Sequence, residues 1–174
     1  TSLRGAKHKG DRISWQADTS DAGEYHVWIA YSRGPEYGSL DTDLKVRVEC
    51  TQKGDAFSAA PFSLSHTAGG RGHRIERAGS FRLQPGSVEI SLENVSGGDF
   101  GLHTVTLTDD SQWDPNEGIE ILQFWGDFKI SGLRDGAALF VLQAEAATEV
   151  RGEDILIPIS EPPGKRDRLV VMGG

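Results

Sequence analysis

Cysteine is nearly missing from this chain. Cys50 stands alone among 174 residues, so no internal disulfide can staple the fold, and cysteine usage leaves the redox compartment open. No stretch approaches the ~18 consecutive apolar residues of a membrane-crossing helix, so no membrane partner is expected. Basic charge is also scarce. Lys and Arg number 18 against 26 Asp and Glu, giving a formal charge of −8 and a pI near 5.1. Phosphate binding needs a basic footprint, which argues against nucleic acid. The sequence holds no Gly-x-Ser-x-Gly elbow, His-Glu-x-x-His, P-loop or Cys-x-x-Cys. Without them the commonest acyl-transfer, metal and phosphate mechanisms lose their residues. Paired carboxylates for glycoside cleavage are not marked by any pattern. The expectation is a chain that is not an enzyme and needs no cofactor.

What the sequence does carry is alternation. Tyr25, Val27, Ile29 and Tyr31 fall on one side of a strand. Leu44, Val46, Val48 and Cys50 alternate with Lys45, Arg47 and Glu49. Val88, Ile90 and Leu92 alternate with Glu89, Ser91 and Glu93, and Val105 with Leu107 follows the same rule. Period two with one dry and one wet side predicts half-buried antiparallel strands. Turn residues separate them: Asp21-Ala22-Gly23, Gln84-Pro85-Gly86 and Ser96-Gly97-Gly98-Asp99, within a total of 22 glycines. The fold class is therefore all-β, an antiparallel sandwich. Helical patterning is thin, and the best stretch for it is Leu139 to Val150.

From Asp109 to Gly118 the chain is polar, aperiodic and broken by Pro115. This loop divides a sandwich over residues 1–110 from a C-terminal β extension, or small second β unit, over 111–174. Strand candidates there are Ile119–Phe124, Phe128–Ile130, Ala138–Leu142, Ile155–Ile159 and Arg168–Val171. The opening Thr1-Ser2-Leu3-Arg4 is neither a signal peptide nor an initiation sequence, so a piece of a larger protein is expected.

Three stretches carry a family likeness. They are Ile13-Ser14-Trp15 followed by Ala22-Gly23-Glu24-Tyr25-His26-Val27, then Phe81 to Leu92, then Asp99 to Leu107. Over about residues 3–108 the chain resembles the galactose-binding-like, jelly-roll carbohydrate-binding modules appended to α-L-fucosidase-like and related polysaccharide-degrading enzymes. The resemblance implies a non-catalytic accessory module whose partners are a carbohydrate and a neighbouring catalytic domain of the same polypeptide. It also implies an extracellular or periplasmic setting. The alternative is a structural β-domain that packs against the catalytic neighbour and binds no sugar. The terminal strand departs from the family in placing Gly101 and His103 where relatives carry Asn or Asp.

A sugar ring asks for an aromatic face and for convergent donors and acceptors. Tyr37 sits in a Gly-flanked polar loop, Arg71 and His73 lie in a Gly-rich segment that permits close backbone approach, and Phe100 and His103 flank the terminal strand. These five form the expected ligand site. Asp41 and Asp43 offer hard oxygens for a structural calcium, as do Asp109 and Asp110. Cys50, on the apolar side of its strand, reads as a buried and inert thiol. Trp15 reads as core, Trp28 as buried under later residues, and Trp113 and Trp125 as packing of the C-terminal stretch. Asn94-Val95-Ser96 matches a glycosylation sequon.

Overall fold

The alternating stretches become two antiparallel sheets packed face to face. The computed structural model describes residues 6–39, 41–67, 72–122, 127–130, 132–143, 147–152, 155–159 and 168–172. One sheet runs in the order β12 (Glu149–Arg151), β1 (Arg12–Thr19), β7 (Gly86–Asn94), β3 (Lys45–Gln52) and β4 (Asp55–Ser58). In it, β5 (Phe62–Ser63) shares the outer edge of β3 with β4. The other sheet runs β11 (Leu139–Gln143), β8 (Gly101–Thr108), β2 (Gly23–Ser32) and β6 (Arg74–Leu83).

The period-two residues fill the space between the sheets. Tyr25, Val27, Ile29 and Tyr31 of β2 meet Val46, Val48 and Cys50 of β3 and Val88, Ile90 and Leu92 of β7 in one apolar cluster. Each such side chain removed from water contributes about 1.5–3 kcal/mol. Trp15 lies in the same cluster, and its indole N–H donates to the Gln143 carbonyl at 2.8 Å. The chain repeatedly changes sheet, at β1 to β2, β6 to β7 and β7 to β8. The β6–β7 crossing at Gln84 is clamped by the two strands that flank β7, β1 and β3. Thr19 and Gln52 side chains both donate to the Gln84 carbonyl, and the Gln84 N–H returns a bond to Gln52. The β3–β4 hairpin turns on Lys53 and Gly54, both at positive φ (54° and 87°), the twist a two-residue hairpin requires.

The sheet of β2 and β8 departs from the one-sided pattern. His26, Ala30, Thr104, Thr106 and Thr108 lie on its outer side, yet all are buried. Trp113 is buried as well, and the Asn116 amide reaches back to the Ile75 carbonyl of β6. Trp28 is half-buried, and its buried indole N–H has no hydrogen-bond partner among the described residues. The stretch with the best helical pattern holds two strands, β11, where a strand was also expected, and β12, one added to each sheet. Asp109 and Asp110 anchor this return, accepting the N–H groups of Ala138 and Arg134, each at 2.8 Å. Two strands that follow residue 110, β11 and β12, thus pair with strands that precede it, β8 and β1.

Beyond it lie one helical turn, α1 (Pro115–Gly118), and two further hairpins. These are β9 (Ile119–Leu122) with β10 (Asp127–Ile130), and β13 (Ile155–Ile159) with β14 (Arg168–Met172). Each hairpin is a separate two-stranded sheet among the described residues.

Candidate functional site

β8 pairs with β2 in one register from Thr108 opposite His26 to Thr104 opposite Ala30. The pairing then resumes one residue out of step, with Leu102 opposite Tyr31 and Gly101 opposite Ser32. His103 is the extra residue. Such a bulge re-aims a side chain that a regular strand would commit to one face. His103 is thereby brought to Ser32, the last residue of β2, with Nε2 and Oγ 2.7 Å apart. Ser32 Oγ also lies 2.8 Å from the Gly72 carbonyl. His73, next in sequence, sets its ring edge-on to that of His103, with centroids 6.3 Å apart and planes at 68°.

The direction of this chain follows from its acceptor. A carbonyl oxygen only accepts, so the Ser32 hydroxyl proton goes to Gly72. The second contact of Ser32 Oγ must then be as acceptor, which puts a proton on His103 Nε2. This is the reverse of a nucleophile–base pair, where the hydroxyl donates to the imidazole.

A buried cation braces the loops beside the site. Arg33 follows Ser32 and is 4% exposed. Its guanidinium donates to the carbonyls of Leu64 and Thr42, and its backbone exchanges bonds with Thr67. Behind it, Tyr31 donates to the Glu76 carboxylate and accepts from the Ser65 N–H at 2.9 Å. Burial first, then that carboxylate, raise the Tyr31 pKa.

The residues expected from sequence divide sharply. His73 and His103 come together. Tyr37 is 7% exposed at the end of a single 3-10 turn (Pro35–Tyr37), with its hydroxyl over Gly101. A Cβ at position 101 would lie 2.4 Å from that hydroxyl, so glycine there is a packing requirement. Phe100 is 2% exposed and belongs to the core. The burial of both rings leaves no face on which a sugar could stack. Arg71 and Trp125 lie outside the described residues.

Asp41 and Asp43 are both exposed, and Asp43 pairs with Lys45 at 3.2 Å. Hydrogen bonds from Ser63 and Lys45 hold the Asp43 carboxyl below the usual range. Among the described residues no three or more His, Cys, Asp or Glu side chains gather as a metal site requires. The oxygens of Asp109 and Asp110 are engaged by backbone N–H groups and, for Asp109, by Arg134. Cys50 is fully buried, with its thiol pushed up to about 12 by desolvation. The sequon asparagine, Asn94, is also buried, and its amide nitrogen donates to the Ala6 and Gly98 carbonyls. No proton of that amide is left for a glycan bond in the folded chain.

Ser32 and the Gly72 carbonyl were missed in the sequence. The only signal for Ser32 was its place where the alternating run of β2 stops.

No family's sequence model matches the chain, and no curated protein matches it. Among solved structures, the chain is similar to a Podospora anserina GH26-CBM35 β-(1,4)-mannanase at 20% identity and a TM-score of 0.45. That match covers 66% of this chain and 22% of the other. A ruminal GH26 endo-β-1,4-mannanase matches at 13% identity and a TM-score of 0.40, over 66% of this chain and 21% of its own length. The chain thus matches only about a fifth of the length of these enzymes.

Proposed function

We propose that the chain is a non-catalytic accessory module that binds carbohydrate, carried beside a catalytic domain in a larger extracellular or periplasmic glycan-processing protein. The observation that carries this reading is the meeting of His73 and His103 at the loop end of the sandwich. A bulge aims one imidazole, and a hydrogen-bond chain through Ser32 fixes its tautomer. The Nε2–H of His103 is spent on Ser32, so the neighbouring His73 imidazole is the one that supplies a ring nitrogen to a sugar hydroxyl. Arg71, adjacent to Gly72 in sequence, adds a third polar group to the proposal. The net charge of −8 suits a neutral or cationic glycan better than a polyanion. The likeness of residues 3–108 to galactose-binding-like modules points the same way.

A second reading, a structural domain that packs on its catalytic neighbour without sugar, is favoured by the burial of Tyr37 and Phe100. A nucleophilic role for Ser32 is disfavoured by the proton direction there, since its hydroxyl is buried and spent on a carbonyl. A glycan array probed with the intact chain separates these readings. Binding that His73→Ala and His103→Ala both abolish supports the module. An array on which the wild-type chain binds nothing supports the structural domain, and turnover of aryl-glycosides would overturn both.

A further inference from the structure

Ser32 is poorly placed to hold anything through its own strand. It ends β2, where the pairing with β6 has already stopped at Tyr31 opposite Arg74. Its remaining ladder partner is Gly101 of β8, just past the bulge at His103. A strand end supported from one side frays unless something ties it down.

Arg33, the next residue, supplies that tie with both its backbone and its side chain. Its N–H donates to the Thr67 hydroxyl at 2.9 Å, and its carbonyl accepts the Thr67 N–H at 3.0 Å. Its guanidinium spans two loops, donating to the Leu64 carbonyl at 2.5 Å and to the Thr42 carbonyl. Those loops are also joined to each other, since the Leu64 N–H donates to the Leu44 carbonyl at 2.9 Å. The leg from Leu64 to Thr67 is held at every residue. Between the two Arg33 contacts, the Ser65 N–H donates to the Tyr31 hydroxyl at 2.9 Å, and the His66 carbonyl accepts from Arg74 Nε at 3.0 Å. Among the described residues the Arg33 guanidinium meets carbonyl oxygens and no carboxylate. Its contribution is therefore directional: a planar fork of fixed N–H groups reaches two acceptors at once, as a single flexible ammonium does not.

We infer that Arg33 is the positioning residue of the His73–His103 pair. It acts through Ser32, its covalent neighbour, whose hydroxyl meets the Gly72 carbonyl on one side and His103 Nε2 on the other. Fixing Ser32 fixes both arms, the tautomer of His103 and the backbone that leads into His73. Without the fork, Ser32 can turn away from the Gly72 carbonyl, and the tautomer of His103 is no longer selected. As a statement about binding the inference rests on the proposed glycan site, whereas its geometry does not.

Imidazole nitrogen–proton correlation spectra of the intact chain, recorded without sugar in mildly alkaline buffer, read that tautomer directly. Wild-type His103 should show one tautomer, with its proton on Nε2. Arg33→Met should lose this signature and show the averaged pattern of two tautomers. Thr67→Val removes only the acceptor of the Arg33 N–H and should move the spectrum the same way by less; it also serves if Arg33→Met fails to fold. Val48→Ala opens the core on the other sheet, lowers the melting temperature and should leave the His103 signature unchanged. A wild-type His103 that is already averaged overturns the inference, as does a wild-type signature kept in Thr67→Val and in folded Arg33→Met. Loss of the signature in Val48→Ala overturns it too, because any destabilisation would then suffice. The spectra need no ligand, so a chain that binds no glycan fails the binding reading alone.

Discussion

His103 donates to Ser32, and not Ser32 to His103. Their 2.7 Å contact acquires this direction from the Gly72 carbonyl, which takes the serine proton at 2.8 Å. The pair therefore positions an imidazole and does not activate a hydroxyl. Ser32→Ala should leave the His103 N–H and the Gly72 carbonyl unpaired and cost about 1–2 kcal/mol. At about 2–4 °C per kcal/mol for a domain of this size, a thermal melt resolves it. Hydrolytic turnover by the wild-type chain that Ser32→Ala abolishes would contradict the assigned direction.

Arg33 is expected to matter more for stability than its loop position suggests. Arg33→Met keeps the volume of the stem and removes the donors to Leu64 and Thr42. The loss should be roughly 2–3 kcal/mol, because hydrogen bonds from a charged donor to buried acceptors are among the stronger ones. Urea denaturation checks the value. Substitution of the exposed Arg74 as a control should change stability by less than about 1 kcal/mol.

Acid sensitivity should begin at His26. Burial, and then the Arg77 cation beside it, lower its folded pKa below the ordinary value of 6.5. Arg77 and Ser80 both contact Nδ1, at 2.6 and 2.9 Å, so the neutral ring accepts there. The unfolded chain then binds a proton at a pH where the folded chain does not. Stability should fall as pH drops below about 6.5, and this contribution should level off once the folded pKa is passed. Carboxylates with lowered pKa, Glu49 and Asp110, add their losses only in the lower range where such groups protonate. Urea melts of wild type and His26→Gln between pH 7.5 and 5 measure it. The variant should show a flatter profile, and parallel profiles would count against His26.

Asn94 should carry no glycan when the chain is made in a eukaryotic secretory host. Its side chain also accepts from the Gly97 N–H at 2.8 Å, so every polar atom of the amide is engaged. Intact mass spectrometry reads the outcome directly. Asn94→Ala should destabilise by about 3 kcal/mol, the cost of several buried groups left without partners. A mass increment at Asn94 would mean that the modification precedes folding of this corner.

The sandwich was legible in the sequence wherever one side of a strand was wet. Lys45, Arg47 and Glu49 marked the outer side of β3, and their alternation with Val46, Val48 and Cys50 placed the core correctly. β8 was harder, because Thr104, Thr106 and Thr108 read as solvent-facing yet are buried. Threonine carries both a methyl and a hydroxyl, so its type does not report on a cover supplied from elsewhere in the chain. The stretch 139–151 was ambiguous because Ala and Leu suit either helix or strand, and only pairing with β8 and β1 decides between them. At the site, the two histidines were found by residue type. Tyr37 and Phe100 were placed with them because an aromatic near a loop looks the same whether it faces a ligand or the core. Burial distinguishes the two, and burial is a property of the assembled sheets. The bulge at His103 left no trace in the sequence, since a bulge is defined by the partner strand.

Affinity electrophoresis through gels containing neutral or acidic soluble polysaccharides tests the glycan site most directly. The wild-type chain is predicted to be retarded by at least one neutral polysaccharide, and the double variant His73→Ala/His103→Ala to migrate as in an empty gel while still unfolding in one cooperative thermal transition. Equal retardation of wild type and the double variant would contradict the account.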